Sequence, residues 1–367
     1  MKKLKLVLTI VTLVVCGDSD FLAMPMPETV LPSKAAVLKV INLVNTHWLN
    51  GHVGTGSNNW DDSVYHLGNL AAYDATNNLT YLNYTTAHAI RFNWLINQGI
   101  FTTNADRQAL GQVYLGLTTD RSKLADIVTQ TNTFVVQNDF AEWTWVDALF
   151  MDMPVFAKLG SLYGDANYSL QLSRLFNYTQ LTLGLYDTVV PVSHLWYRDS
   201  RYKYPKATSP SGKKVLWSRG NGWVFAALAA TLSLLPKADP NYLSYQTVFT
   251  AMAASLLSRQ RTDGFWNSNL DDPANFGGPE TSGTAAFTYG MASGIQLGLL
   301  DRATYLPAVA RAWSGLVNLA VQVDGFLGYV QPVGAAPAAT NANTTANFGV
   351  GLFLLAGGQV AKLAPSD

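Results

Sequence analysis

The chain has 367 residues, and its 24 basic and 24 acidic side chains give a formal net charge of zero. Nucleic-acid-binding proteins need a basic face that neutralises phosphates, so the charge balance argues against a nucleic acid partner. Apolar residues make up 49% of the chain and charged residues only 13%, a composition that predicts a large folded core and excludes disorder.

The first residues have the pattern of an export signal. Three lysines within the first five residues precede an apolar run over residues 6–16, which is shorter than the roughly 20 residues that span a bilayer. We expect residues 1–17 to be a signal peptide, residues 18–33 to be a linker, and the protein to be secreted or periplasmic without a stable membrane span. A lipid anchor at Cys16 is the alternative. Because Cys16 is the only cysteine, cleavage would leave no thiol for disulfides or catalysis.

Helical patterns dominate the rest of the chain, and alternating strand patterns are scarce. Residues 240–260 are an example, because Asp239 caps the segment, Pro240 takes the first helical position, and apolar side chains follow at helical spacing. The twelve predicted helices cover residues 34–50, 62–76, 80–97, 104–117, 120–138, 145–163, 167–184, 220–236, 240–260, 281–298, 302–323 and 345–363.

The connections between these helices repeat. An Asp-Gly-Phe turn follows the predicted helix at residues 240–260, and another follows the helix at residues 302–323, about 60 residues further on. No Pro-, Gly- or Ser-rich linker divides residues 34–367, so we expect one domain of six helical hairpins. The hairpins can close into a ring with the N-terminal loops of the inner helices around one cleft. The alternative, an open solenoid, needs polar capping repeats, whereas residues 348–363 are as apolar as the rest.

Two aspartates are candidates for catalysis. Asp106 lies at the start of a predicted helix and is either a functional carboxylate or only a partner of the helix dipole. Asp147 lies in the aromatic and aliphatic run at residues 143–151. Apolar surroundings raise the pKa of a carboxyl, so such a group can donate a proton near neutral pH. A structural aspartate bonded to a loop would have the same local sequence, and both interpretations stay open.

Two later segments are candidates for substrate binding. His194 lies among aromatic neighbours between helices and suits a cleft wall, with a plain surface histidine as the alternative. Residues 217–223 read Trp-Ser-Arg-Gly-Asn-Gly-Trp and open a predicted helix. Arg219 at a helix N-terminus suits a carboxylate, and tryptophan rings stack on sugar faces. The alternative is a glycine-rich loop in which the arginine stacks on a tryptophan.

Other kinds of chemistry find no pattern in the sequence. The remaining four histidines lack the spacing of metal ligands, and the Gly-X-Ser-X-Gly elbow of serine hydrolases is absent. Phosphate-binding glycine patterns are also absent from residues 217–223. We therefore expect neither a bound metal nor a cofactor.

Taken together, these segments resemble glycoside hydrolase family 105, the unsaturated rhamnogalacturonyl or glucuronyl hydrolases, and the related family 88 shares their mechanism. The resemblance spans roughly residues 60–360, and residues 146–151 and 217–223 are its most specific parts. It implies an all-α fold, the (α/α)6 barrel, with Asp147 as general acid and base and Asp106 as a second cleft carboxylate. The substrate contacts that it implies are Tyr65, His194, Trp217, Arg219 and Trp223.

The resemblance also implies an activity. Such a hydrolase removes a 4,5-unsaturated uronic acid from the non-reducing end of polysaccharide-lyase products by hydrating the C4=C5 double bond. We expect the substrate to be an unsaturated acidic oligosaccharide from a pectin of the rhamnogalacturonan type, and the protein to be a monomer. Two alternatives remain open: a conventional inverting glycosidase that acts on saturated polysaccharide with Asp106 as a second essential carboxylate, and a non-catalytic carbohydrate-binding protein.

Overall fold

The computed structural model describes residues 29–366. The predicted signal peptide at residues 1–17 lies outside the described residues, together with Cys16 and most of the predicted linker at residues 18–33. Within the described part of the chain the structure is helical, and β-type pairing is confined to isolated bridges. No helix between residues 29 and 366 is both long and apolar enough to cross a membrane.

The structure contains a helix at each of the twelve predicted positions. Short π-helical turns extend the seventh and eleventh helices through residues 178–182 and 316–320. In chain order, helices α1 to α12 are Lys34–Gly51, Trp60–Thr76, Leu79–Arg91, Ala105–Leu117, Ala125–Gln137, Asp147–Tyr163, Ala166–Asn177, Ser218–Leu234, Tyr242–Leu257, Thr281–Gln296, Arg302–Gly315 and Asn347–Leu363.

Two helix ends differ clearly from the prediction. Helix α3 ends at Arg91, because Asn93 and Trp94 adopt positive φ angles of 53° and 60° that a right-handed helix does not allow. Helix α5 begins only at Ala125, since the Asp120 carboxylate accepts from the Ser122 N–H (3.0 Å) in a turn before it.

The even-numbered helices form a closed inner ring. Each of α2, α4, α6, α8, α10 and α12 packs against the next, and α12 packs against α2. The odd-numbered helices lie outside, with α3 on α2, α7 on α6, α9 on α8 and α11 on α10. The inner helices are therefore buried along most of their length, and in α10 every residue from Thr281 to Ile295 is buried. This arrangement confirms the all-α (α/α)6 barrel and excludes the open solenoid.

Glycines allow a close contact between α2 and α12. A Cβ atom on Gly68 would lie 2.2 Å from the Gly351 carbonyl oxygen, and a Cβ on Gly351 would lie 2.2 Å from the Val64 carbonyl oxygen. Any side chain at either position would push the two backbones apart. The contact between α2 and α12 that closes the ring therefore requires glycine at both positions.

The start of the first helix and the end of the last helix lie side by side. The Lys34 N–H at the start of α1 donates to the Pro365 carbonyl (3.0 Å), just after α12 ends. Helix α1 also packs along α12. The first helix thus covers the junction at which the ring closes.

A proline inside α6 is compensated from the neighbouring inner helix. Pro154 has no N–H to donate to the carbonyl of Phe150, four residues earlier. Gln112 of α4 donates its Nε2 to that carbonyl (2.7 Å) and to the Met151 carbonyl (2.9 Å). The side-chain bond from α4 therefore replaces a bond that the helix lacks.

The N-terminal ends of the inner helices meet at one end of the barrel. Asn347, which begins α12, donates to Asp61 and Asp62 in the first turn of α2, at 2.9 Å each. Ser218, which begins α8, donates to Glu280, the cap of α10, at 3.2 Å. Helix N-termini carry partial positive charge, so this end of the barrel favours anionic groups.

Candidate active site

A short pairing of two loops places Asp147 at the entrance of the barrel. Trp145 and Asp199 form an isolated antiparallel bridge, and the Val146 N–H donates to the Arg198 carbonyl (3.0 Å). Helix α6 begins at the next residue, Asp147. The pairing therefore brings the start of an inner helix against the loop that carries Arg198.

The Asp147 carboxylate is buried but not isolated. Its side chain is 13% exposed, and its Oδ2 accepts from Arg198 Nε at 3.1 Å. Burial raises the pKa of Asp147, while the positive charges of Arg198 and Arg219 oppose that rise. The carboxyl can therefore keep a proton at a higher pH than an exposed aspartate.

Asp106 lies in the first turn of α4 and interacts electrostatically with Asp147. Asn104 caps this helix by accepting from the Asp106 N–H at 3.1 Å. Burial raises the pKa of Asp106 to about 6, and the negative charge of Asp147 adds to the rise. The structure thus brings the two predicted carboxylates into one cluster, and their catalytic roles stay predictions.

Arg198 is the cation bound to Asp147, and no pattern in the sequence predicts this role. Its Nη1 donates to Asp199 Oδ2 at 2.8 Å. Asp199 also accepts from Arg201 through the backbone N–H (2.9 Å), Nε (2.9 Å) and Nη2 (2.8 Å). The only signal in the sequence was the position of Arg198 and Asp199 in the same loop as His194.

Arg219 is fully buried behind this cluster. Its Nη1 donates to the Gln331 carbonyl (2.5 Å) and its Nη2 to the Pro332 carbonyl (2.8 Å). The guanidinium lies 4.5 Å from the ring centre of Trp217 and 4.6 Å from that of Phe348. Burial lowers its pKa to about 10. The Arg219 guanidinium thus stacks on a tryptophan. Its contact with a substrate carboxylate stays a prediction.

The two tryptophans predicted to bind sugars are both buried. Trp217 is 1% exposed, and its Nε1 donates to Gln331 Oε1 at 2.9 Å. Trp223 is fully covered and packs between Trp60 and Phe150, with ring centres 6.1 and 4.9 Å away. Their stacking on sugars stays a prediction.

Two other tryptophans keep exposed surface close to the cluster. Trp60 begins α2 and is half-buried against Phe348, with ring centres 5.1 Å apart. Trp145 is half-buried, and the Arg198 guanidinium lies 5.9 Å from its ring centre. Nothing in the local sequence separates these two rings from the buried ones, because exposure depends on the packing of distant helices.

Tyr65 and His194 have other partners. The Tyr65 hydroxyl is buried and donates to Asn45 Oδ1 at 2.8 Å. His194 is exposed, adopts a φ of 58°, and shares a hydrogen bond with the Tyr186 hydroxyl at 3.0 Å through Nδ1. The predicted roles of both residues in substrate binding stay predictions.

Glu280 joins two inner helices at the same end of the barrel. It is 1% exposed and accepts from the N–H groups of Ser282 (3.0 Å) and Gly283 (2.7 Å), which caps α10. It also accepts from the Gln331 N–H at 3.2 Å. Through these bonds the Glu280 carboxylate ties the start of α10 to the loop that contacts Arg219.

Comparison with known proteins identifies the family of the chain. The family model described as Glycosyl Hydrolase Family 88 matches residues 34–364. An unsaturated 3S-rhamnoglycuronyl hydrolase from Formosa agariphila is 30% identical over 327 residues, which cover 83% of this chain and 84% of the relative.

Two solved structures are similar along almost their whole length. A family 88 glycosyl hydrolase from Bacteroides vulgatus is 35% identical with a TM-score of 0.84, over 90% of this chain and 99% of that one. A protein described as a polysaccharide lyase has the same identity and TM-score, over 90% of this chain and 98% of that one. The resemblance seen in the sequence is confirmed, and the chain belongs to glycosyl hydrolase family 88.

Proposed function

We propose that the protein is an exo-acting hydrolase that removes a 4,5-unsaturated uronic acid from the non-reducing end of polysaccharide-lyase products. The observation that carries the proposal is the cluster of Asp147, Asp106 and Arg198 at the N-terminal ends of the inner helices of a family 88 barrel. The substrate is an anion that must be protonated. The two carboxyls with raised pKa values can supply the proton, and the arginine can bind the negative charge.

The reaction begins at the double bond of the substrate. Its C4=C5 bond is conjugated with the ring oxygen and behaves as an enol ether. Asp147 gives its proton to C4, and positive charge develops on C5 and the ring oxygen. Water then adds its hydroxyl to C5 and returns a proton to Asp147. The resulting hemiketal opens, and the glycosidic bond breaks without attack at the anomeric carbon. One carboxyl therefore serves as acid and then as base.

The second carboxyl keeps the proton available. Asp106 and Asp147 interact as like charges, so the pair binds one proton more readily than either group alone. Burial raises the pKa of both groups. An ordinary glycosidase needs two carboxyls on opposite sides of a glycosidic bond, whereas this reaction needs one proton donor next to an ionisable neighbour.

Arg198 is the better placed of two cations for the substrate carboxylate. Its bonds to Asp147 and Asp199 use two of the five N–H groups of a guanidinium. Its side chain is 19% exposed, whereas Arg219 is 1% exposed. We propose that Arg198 contacts the uronate directly, and that Arg219 supplies positive charge from behind. Trp145, beside Arg198, offers a partly exposed ring on which a sugar can stack.

The next sugar in the substrate is proposed to be rhamnose. The Formosa relative is named for a rhamnoglycuronyl substrate, which supports a rhamnose at the leaving position. The rhamnogalacturonan or pectin source that we expect would also provide a rhamnose at this position.

The test is a screen of lyase digests from several acidic polysaccharides, with saturated oligosaccharides as controls. The proposed hydrolase removes the absorbance of the conjugated double bond from the digests and leaves the saturated controls intact. A lyase would instead create that absorbance on intact polysaccharide, and an inverting glycosidase would cleave the saturated controls. Either of these two outcomes would overturn the proposal.

We also propose export and a monomeric state. The lysines and apolar run at residues 1–17 support a cleaved signal peptide. Sequencing the N-terminus of the protein recovered outside the cytoplasm tests cleavage, and a lipid on an N-terminal Cys16 would instead support the membrane-anchored alternative. Light scattering of the purified protein tests the monomer.

A further inference from the structure

Asp147 lies among charges that come from three elements. Arg198 approaches it from the loop before the segment at residues 200–202, Arg219 from α8, and Asp106 from α4. A second group of charges acts through these neighbours: Asp199 and Arg201 behind Arg198, Glu142 and Arg107 beside Asp106, and Glu280 beside Arg219.

Only one of these charges is bonded directly to Asp147 and held rigidly from its far side. Arg198 donates Nε to Asp147 (3.1 Å) and Nη1 to Asp199 (2.8 Å), so its guanidinium bridges two carboxylates. The backbone carbonyl of Arg198 accepts from the Val146 N–H, one residue before Asp147. Backbone and side chain together fix the cation beside the acid.

We infer that Asp199 is a positioning residue that orients Arg198 beside Asp147 and, by offsetting part of the charge of Arg198, sets the pH range in which Asp147 carries the proton for catalysis. This inference rests on the proposed function. It assigns Asp199 a role in the reaction although its carboxylate faces Arg198 and Arg201 rather than the proposed substrate.

The contacts of Asp199 explain why it can do this. Its side chain is only 8% exposed, and its two oxygens accept four N–H bonds from Arg198 and Arg201. These bonds hold the pKa of Asp199 below its usual range, in spite of burial. Asp199 is therefore an ionised anchor that both orients Arg198 and offsets part of its charge.

The arrangement predicts shifts of opposite sign for two substitutions. Arg198→Gln removes the positive charge next to Asp147, so the proton is held to higher pH. Asp199→Asn removes the negative charge that offsets Arg198 but keeps an oxygen for hydrogen bonding, so Arg198 acts more strongly on Asp147 and the proton leaves at lower pH. A purely structural role would lower activity in both variants without moving the midpoint in opposite directions.

The experiment is the pH profile of kcat and kcat/KM on an unsaturated product that the wild-type protein hydrolyses. The alkaline midpoint is expected to move up by about one pH unit in Arg198→Gln and down by about half a unit in Asp199→Asn. Arg198→Lys keeps the positive charge, so its alkaline midpoint is expected to move less than that of Arg198→Gln, even where kcat and KM change because the bridge and the substrate contact are altered. Arg261→Gln, which breaks an Arg–Asp pair of similar exposure with Asp263, is the matched control and leaves the midpoint unchanged.

A second measurement does not depend on turnover. The Asp147 carboxyl can be titrated by ¹³C NMR in protein with labelled aspartate, and its signal is identified by its absence in Asp147→Asn. The same opposite shifts are expected there. If both variants shift in the same direction, or if neither shifts, the inference about Asp199 is overturned. Failure of the wild-type protein on every unsaturated product would overturn the proposed function instead, and the NMR titration would still decide the inference.

Discussion

Asp147 combines burial with a bound cation, and the balance between the two decides its chemistry. Burial alone keeps a carboxyl neutral, whereas a bonded arginine alone keeps it ionised. In this site both act on one group, and burial is the larger effect on its pKa. The residue can therefore give up a proton and recover it during one catalytic cycle.

The first prediction concerns Asp147 itself. Asp147→Asn keeps the shape and the bond to Arg198 but removes the proton donor, so kcat is expected to fall by about 10³-fold or more. The wild-type rate is expected to fall as pH rises through the raised pKa, because the ionised form cannot protonate C4. Steady-state kinetics and circular dichroism check both points. Near-normal turnover in a folded Asp147→Asn variant would remove Asp147 from the mechanism.

Asp152 is a buried carboxyl with a different role. It lies in α6 with no exposed surface, and neither of its oxygens has a hydrogen-bond partner among the described residues. Burial therefore raises its pKa well above the usual range. The folded protein binds this proton more tightly than the unfolded chain. The contribution of Asp152 to the free energy of unfolding is therefore largest at low pH and falls as pH rises from the unfolded pKa towards the folded one.

The second prediction follows from that sign. Asp152→Asn has no charge to bury, so its stability relative to the wild type is expected to increase with pH, by up to about 1.4 kcal/mol per pH unit above pH 4. Urea unfolding between pH 5 and pH 8 measures the difference. Asp165→Asn, at the exposed cap of α7, has no ion-pair partner among the described residues and is the control. A constant difference across this range would show that Asp152 is ionised in the folded state.

At the scale of helices, contacts between inner helices depend on small residues that allow close approach and on side chains that donate hydrogen bonds to backbone carbonyls without a helical partner. The third prediction tests the glycine contact between α2 and α12. Gly351→Ala places a methyl group 2.2 Å from the Val64 carbonyl oxygen and is expected to destabilise the protein by about 1–3 kcal/mol. Gly358→Ala on the same helix meets its nearest atom at 3.4 Å and is the matched control. Equal unfolding free energies for the two variants would contradict the prediction.

The fourth prediction concerns the proline in α6. Gln112→Ala leaves the Phe150 carbonyl without its donor and is expected to cost about 1–3 kcal/mol. In a Pro154→Ala background the helix supplies its own N–H, so the same substitution is expected to cost less. A double-mutant cycle by chemical denaturation measures this coupling. Additive effects would mean that Gln112 does not compensate for the proline.

At the scale of the whole molecule, the sequence predicts the fold better than the site. Helical periodicity is a local property, so all twelve helices were predicted, and the resemblance paired Asp106 with Asp147. The bond between Arg198 and Asp147 joins residues 51 positions apart, and no local pattern reveals it. Exposure is equally non-local: Trp217 is buried and Trp145 half-exposed because of how distant loops pack.

The hydrogen bond between Lys34 and Pro365 has a consequence for chain order. Because these residues touch, a short linker can join them, and a new start can be opened in an exposed turn such as the one at residues 237–241. Such a circular permutant would keep all six hairpins and the charged cluster. The barrel is therefore a closed ring of hairpins, and its fold does not depend on which helix comes first in the chain.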